Sequence, residues 1–124
     1  MPWSSAAPNV GFSTSEPWLP IGQNHRALAV EFQEKSPNSN LQFARACLKM
    51  RSTHRALRHG SMRIIEAGEQ KLVFDRTYGG DRLRCTFNLS DRPAPVASSR
   101  KPLITVGEVG AALGPYAAII EAGE

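Results

Sequence analysis

The chain changes its hydrophobic rhythm twice. In residues 1 to 37 the apolar groups Trp3, Phe12, Trp18, Leu19, Ile21 and Val30 are scattered between Pro2, Pro8, Pro17, Pro20 and Pro37, and no period survives so many prolines. Two tryptophans and a phenylalanine want their large apolar areas buried. That separates the stretch from a flexible linker and predicts an irregular arm wrapping over a surface supplied from elsewhere. From 38 to about 58 the pattern turns helical. Leu41, Ala44, Cys47, Leu48 and Arg51 recur at helical spacing, and Phe43 and Met50 widen the stripe. Asn38 or Ser39 can cap this helix, with Pro37 just outside it. Arg58 and His59 suit its C-terminus, and Gly60 stands where the chain should stop. Burial of Leu41, Phe43, Leu48 and Met50 would contribute on the order of 6 to 12 kcal/mol, so the stripe needs a partner surface.

From Ser61 onward the period shortens to that of a strand. Met62 to Ile65, Leu72 to Thr77, Arg82 to Asn88, Leu103 to Val106 and Ala117 to Glu121 read as strands separated by turn residues. Tyr78-Gly79-Gly80-Asp81 predicts a hairpin, because glycine tolerates the positive φ of a tight turn. Leu83, Cys85 and Phe87 then share one face, while Arg82, Arg84, Thr86 and Asn88 share the other. Phe74 and Phe87 are expected inward. The result is a small antiparallel sheet or sandwich, of a size at which an isolated core is marginal. The Pro, Ala and Ser-rich stretch from Arg92 to Pro102 reads as a loop, and no internal repeat is visible.

With 124 residues the chain is the size of one domain or of a piece of a larger one. A complete (β/α)8 barrel, which takes about 250 residues, does not fit. Apolar residues at 41% and charged residues at 21% belong to a folded chain. The net charge of +4 is concentrated around Arg45, Lys49, Arg51, Arg55 and Arg58. No base-stacking aromatics are interleaved there, so the stretch reads as a solvated helix face and no nucleic-acid partner is expected. Met1-Pro2-Trp3-Ser4-Ser5 does not read as a signal peptide, and no run approaches a membrane span, so no membrane partner is expected. Cys47 and Cys85 lie far apart, without metal spacing, in apolar-periodic segments. They read as reduced, buried thiols, which fits a reducing compartment and a cytoplasmic place.

A family resemblance rests on specific residues. Met1-Pro2-Trp3, Gly11-Phe12-Ser13-Thr14 and Pro17-Trp18-Leu19-Pro20 follow one another as in the segment after the last barrel strand of glycoside hydrolase family 13 α-glucosidases and oligo-1,6-glucosidases, within the α-amylase superfamily. Val30, Gln33 and Ser36-Pro37-Asn38-Ser39 leading into Leu41 and Phe43 resemble the approach to the final barrel helix. Arg51, His54, Ala56-Leu57 and Gly60 resemble its end. Phe87-Asn88-Leu89-Ser90-Asp91 and Leu113-Gly114-Pro115-Tyr116-Ala117 are similar to parts of the β domain that ends these enzymes. Ser4 and Ser36 depart from the pattern, since an aspartate is common at both places, and local helix capping and support of the active-site rim are affected.

The resemblance implies an α+β fragment. Residues 1–37 would be an irregular arm from the end of the catalytic barrel, 38–59 the last barrel helix, and 60–124 a small antiparallel all-β C-terminal sandwich domain. It implies a structural, supporting role in a retaining α-glucosidase, with the missing (β/α)8 barrel as partner and α-glucoside oligosaccharides reached only through the intact enzyme. Retaining glycosidases need a nucleophilic carboxylate and an acid about 5 Å apart. In the family these stand on barrel strands before the matched region, as does the substrate-binding arginine. The acids here, Glu16, Glu31, Glu34, Glu66, Glu69, Asp75, Asp81, Asp91, Glu108, Glu121 and Glu124, fall mostly in loops or on strand faces, so no catalytic or substrate-binding residue is expected among them. Met1 coincides with an internal methionine of the family pattern, so a truncated reading frame, a late start or a split gene is expected. A signal on the missing part would move the protein to the periplasm.

Other constellations are thin. His25, His54 and His59 with Cys47 lack zinc spacing, Ser98-Ser99 has no nearby His, and Gly107 with Gly110 is too sparse for a phosphate cradle, so neither metal nor cofactor is expected. Trp3, Phe12 and Trp18 suit packing against a barrel better than a sugar platform. The alternative function is a stand-alone carbohydrate-binding β-sandwich module, for which Tyr78 and Tyr116 are the available tyrosines. If the first 60 residues lack their partner, protease should cut there well before it cuts the sheet. Limited digestion read by mass spectrometry checks this, and uniform amide protection across residues 10 to 55 in a monomer would contradict it.

Overall fold

A computed structural model describes residues 1–97 and 100–123. The chain forms two compact units, Met1–Leu48 and Lys49–Glu124.

The first unit is less irregular than its prolines suggest. A 3-10 turn at Pro8–Gly11 carries three left-handed residues in a row, Asn9 (φ 51°), Val10 (φ 49°) and Gly11 (φ 76°). A short helix α1, Val30–Lys35, stands within the expected arm. Six residues give too little periodicity to read, and α1 is held instead by distant partners. The Val30 and Glu31 N–H groups donate to the carbonyls of Pro2 (3.0 Å) and Trp3 (3.2 Å), which satisfies two donors that a helix start leaves free. Helix α2, Asn40–Thr53, begins at a cap that settles between the two candidates: the Ser39 hydroxyl accepts from the Gln42 N–H at 3.2 Å. The same hydroxyl donates to the Gln33 carbonyl, and the Gln33 side chain accepts from the Leu41 N–H. No residue of α2 is buried, and Phe43 and Leu48 of its apolar stripe are exposed.

In the second unit the expected single helix to residue 58 is corrected to two. α2 ends at Thr53, His54 is extended, and a separate α3 runs Arg55–His59. The physical reason lies far along the chain, because Asp81 offers a carboxylate to the Ala56 N–H at 2.9 Å and to the His54 ring at 3.0 Å. A new helix start with a good acceptor therefore competes with continuation of the old one. Gly60 does end α3, but its φ is an ordinary −72°. Glycine is needed there for closeness, since a Cβ would lie 2.8 Å from the Thr77 carbonyl and against that of Ala56.

Five antiparallel strands form the main sheet: β1 Ser61–Ala67, β2 Lys71–Tyr78, β3 Asp81–Asn88, β5 Pro102–Val106 and β7 Ala118–Ala122, in the order β1-β2-β3-β7-β5. The β2–β3 turn is the expected one, with Gly79 at φ 58° in the first of its two central positions. Two strands of two residues each, β4 Ala94–Pro95 and β6 Ala112–Leu113, pair as a second small sheet. β4 falls within the stretch read as a loop, because two residues show no alternation.

The register gives the main sheet two unlike faces. On one, Ile64, Phe74, Cys85, Ile120 and Ile104 stand opposite one another from edge to edge, and Leu72, Phe87, Ala118 and Val106 form the next row. On the other, Arg63, Asp75, Arg84 and Glu121 alternate in charge across four strands. Both faces carry buried residues: on the first, Leu83 and Cys85 are fully buried, and the second is covered by the chain's remaining segments. Leu113, Ala117 and Ile119 make a buried cluster with Val96 and Val109 against it. Asp75, Thr86, Asn88 and Glu121 are buried. Thr86 and Asn88 do share the face opposite Leu83, Cys85 and Phe87, and both are buried, whereas Phe74 and Phe87, expected inward, are only half-buried.

Asn88 explains much of that cover. Its amide nitrogen donates among the carbonyls of Arg92, Leu113 and Gly114 at 2.7, 3.3 and 2.8 Å, and its oxygen accepts from the N–H and hydroxyl of Ser90. Within the charged row, Arg84 donates twice to Asp75, at 2.9 and 3.1 Å, while Arg63 lies at 3.8 Å. These Arg84 bonds hold the Asp75 carboxyl below its ordinary value despite burial. Because that value is depressed on folding, its stabilisation is full above about pH 4, the unfolded value, and is lost as pH falls through the folded one. Asp75→Asn should lower stability at pH 7 by about 2 kcal/mol and flatten the acid-side loss. Thermal melts between pH 7 and pH 3 check this, and equal slopes for the two proteins would remove the assignment.

Candidate functional site

Each unit holds one place where side chains gather with geometry that asks for a role. In the first, the left-handed run at Asn9, Val10 and Gly11 turns the chain so that Val10 is buried and Phe12 emerges beside Pro17-Trp18-Leu19-Pro20. A left-handed β-branched residue is strained, and such strain persists where the surroundings over-determine it. Asn9 supplies part of that hold by donating to the carbonyls of Ser13 and Ser15. The resulting hollow of about 570 Å³ is lined by Pro2, Phe12, Glu16, Trp18, Ile21 and His25, among others. Trp18 is 91% exposed, and Trp3 and Phe12 are exposed by about half. Phe12 and Trp18 share this hollow, whereas Trp3 stands outside its lining.

Outside this hollow, Ser4 and Glu31 tie the start of the chain to α1. The Glu31 carboxylate accepts from the Ser5 N–H at 2.6 Å and from the Ser4 hydroxyl at 3.2 Å, and the Ser5 N–H is the main reason its proton affinity is lowered. Arg26 donates to the Ser5 carbonyl from the other side. A serine at position 4 therefore donates to α1, a role that an aspartate would reverse in sign.

In the second unit Asp81, at the start of β3, joins α3 to the sheet. Burial alone would raise its carboxyl, but the Ala56 N–H and the His54 ring outweigh that and lower it. Arg55 lies 4.7 Å above the Tyr78 ring and donates to its hydroxyl at 3.2 Å, while the His59 ring packs against Tyr78 at 5.8 Å. Sequence reading missed Asp81, whose hairpin position carried the visible signal, and Asn88, which it placed only on the face of β3 opposite Leu83, Cys85 and Phe87.

Most of the acids are committed locally. Glu34 pairs with Arg45 (2.8 Å), Glu66 with Lys71 (3.0 Å) and Asp91 with Arg92 (4.0 Å), beside the bonds of Glu31, Asp75 and Asp81. Glu121 is buried in the charged row, and Glu16, Glu69 and Glu108 are exposed. Among the described residues no group of three or more His, Cys, Asp or Glu side chains is placed to hold a metal. His25 accepts from the Gly22 N–H. Both cysteines are free. Cys47 is half-buried, not buried as expected, while burial pushes the Cys85 thiol up to about 11. Arg45, Lys49, Arg51, Arg55 and Arg58 are all exposed, as a solvated face requires. Gly107 takes φ 70° and packs on Ala117. Ser98-Ser99 and Glu124 lie outside the described residues. Among those described, no helix is long and apolar enough to cross a membrane.

The chain is similar to known proteins over most of its length. Residues 1–60 match the α-amylase family, catalytic domain. A "probable alpha-glucosidase" of Rhizobium meliloti is 40% identical over 94 residues, covering 76% of this chain and 17% of that protein. An oligo-1,6-glucosidase of Halalkalibacterium halodurans is 31% identical over 101 residues, 76% of this chain and 18% of that one. The chain thus spans less than a fifth of the length of these relatives. Among solved structures, the α-glucosyl transfer enzyme XgtA superposes with a TM-score of 0.78 at 34% identity, covering 100% of this chain and 25% of that one. A trehalulose synthase, MutB, gives 0.79 at 23% identity, covering 98% and 24%, and shows the fold alone.

Removing the carboxylate that starts α3 should loosen that helix from the strands. Asp81→Ala is expected to destabilise the second unit by about 1 to 2 kcal/mol, the usual loss for a helix cap, with a raised rate of amide exchange at Ala56. An unchanged melt together with unchanged exchange would show that α3 does not depend on it.

Proposed function

We propose that this chain, which belongs to the α-amylase family (glycoside hydrolase family 13) and resembles its α-glucosidases, is a supporting part of an α-glucosidase whose catalytic carboxylates stand outside these residues. On this reading residues 38–59 are the last helical stretch of the catalytic barrel, although broken at His54, and 60–124 form the C-terminal antiparallel domain. The observation that carries it is the combination of a match covering less than a fifth of the relatives with an apolar stripe on α2, none of whose residues is buried. A helix with no buried residue over 14 positions gains little from tertiary packing, which is the main source of helix stability in proteins.

The state of the acids favours support over catalysis. A retaining mechanism asks for one carboxylate free to attack and one held protonated, about 5 Å apart. Asp75, Asp81 and Glu31 are instead stabilised as anions by donors that belong to the fold. An α-glucoside would then reach this chain only through the assembled enzyme, where the hollow beside Phe12 and Trp18 would form part of the rim. The alternative, a free-standing carbohydrate-binding sheet, is weakened at Tyr78, whose ring is already occupied by Arg55 and His59.

The test is a chromogenic α-glucoside offered to the purified chain. Release is expected to match the buffer blank, and saturable turnover that survives repurification would end this reading.

A further inference from the structure

We propose that Glu31 is a positioning residue: with Ser4 it forms an acceptor and donor pair that fixes the backbone from Pro2 to Ser5, and with it the place at which the Trp3 ring is presented. This rests on the supporting role given above, since these residues lie in the stretch that matches the α-amylase catalytic domain. The segment is gripped from two sides. On one, the Val10 carbonyl accepts from the N–H groups of Trp3 at 2.8 Å and of Ser4 at 3.1 Å. Val10 is buried and left-handed, so this acceptor is held by a conformation that β-branched residues rarely take. On the other side α1 donates its first two N–H groups to the carbonyls of Pro2 and Trp3, and Glu31 accepts from Ser5 and Ser4.

Only the Glu31 contacts in this grip carry a full charge on the acceptor. A hydrogen bond to an ionised carboxylate is about twice as strong as one between neutral groups. Both oxygens are used, Oε1 for the Ser5 N–H at 2.6 Å and Oε2 for the Ser4 hydroxyl at 3.2 Å. An ionised carboxylate only accepts, so the side chain at position 4 has to donate. A carboxylate in place of that hydroxyl would meet Glu31 at hydrogen-bonding distance, where like charges suppress each other's ionisation. The other charged groups nearby favour the anion or are engaged elsewhere. Lys35, one turn along α1, adds to the lowering of the Glu31 carboxyl, Arg26 donates to the Ser5 carbonyl, and Glu34 is paired with Arg45.

The experiment follows the segment in the full chain. Trp18→Phe, at a position 91% exposed, leaves Trp3 as the sole tryptophan. In that background Trp3 fluorescence and the protection factor of the Ser5 amide are measured from pH 7 to pH 3. Folding lowers the Glu31 carboxyl, so with Ser4 in place the hold is complete above about pH 4.3, the ordinary value of a glutamate, and fades as pH falls through the lower folded value. Ser4→Asp is expected to lower Ser5 protection at pH 7 at least about fivefold, the loss of one charge-assisted bond. Its pH dependence should run the other way, because one proton shared by two carboxylates restores the contact as pH falls. Ser4→Ala, which removes the donor without adding charge, should lose less and keep the parent's slope. Adding Glu31→Gln to Ser4→Asp should return protection at pH 7 to within about twofold of the parent, since the amide oxygen accepts from Ser5 while its nitrogen donates to the aspartate. Parental protection and slope in Ser4→Asp would overturn the pairing, and so would a double variant no better held than Ser4→Asp alone. None of these readings involves turnover, so either failure leaves the supporting role standing.

Discussion

The buried Asp75, paired with Arg84 in one face of the sheet, is the constraint on which the rest depends, because the opposite face buries Leu83 and Cys85 but leaves Phe74 and Phe87 only half-covered. Each buried aliphatic or aromatic side chain typically contributes about 1.5 to 3 kcal/mol, so several half-covered residues in one face forgo a large share of what a small unit has available. The charged face does not make up the difference by hydrophobic burial alone. It is held by the Arg84–Asp75 pair and by Asn88, groups whose net contribution is modest but whose removal leaves buried partners unsatisfied.

Polar side chains fix the geometry wherever the backbone turns. Glu31 gathers Ser4 and Ser5 onto α1, Ser39 starts α2, Asp81 starts α3, and Asn88 secures the segment that carries β4 and β6. Each satisfies backbone donors or acceptors that the neighbouring elements leave open. The same commitment bears on chemistry. A carboxylate engaged by a cap or a guanidinium is pinned and anionic, which suits structure and does not suit a group that must attack a carbon or release a proton. Membership of a hydrolase family and a non-catalytic role for these residues are therefore compatible, because the family's chemistry belongs to particular side chains and not to the fold that carries them.

The strands show best what could be read from the chain. β1, β2, β3, β5 and β7 lie within about two residues of their expected places, since period-two alternation and the Gly79-Gly80 turn are local properties. The family was legible for the same reason, in short runs such as Met1-Pro2-Trp3 and Pro17-Trp18-Leu19-Pro20. What failed was set at a distance. The break at His54 depends on a carboxylate 27 residues away, α1 depends on Pro2 and Trp3, and β4 exists through its pairing with β6.

The sequence by itself determined which side chains share a face of each strand, because successive residues of an extended backbone point to opposite sides whatever surrounds them. It did not determine how far the chain would cover each of the two faces. That was decided by tertiary structure, when Asn88 drew the carbonyls of Leu113 and Gly114 over the charged row, while the opposite side buried Leu83 and Cys85 and left Phe74 and Phe87 half-covered. Alternation is a property of one strand, whereas burial depends on where a segment 25 residues later finds its hydrogen-bond partners.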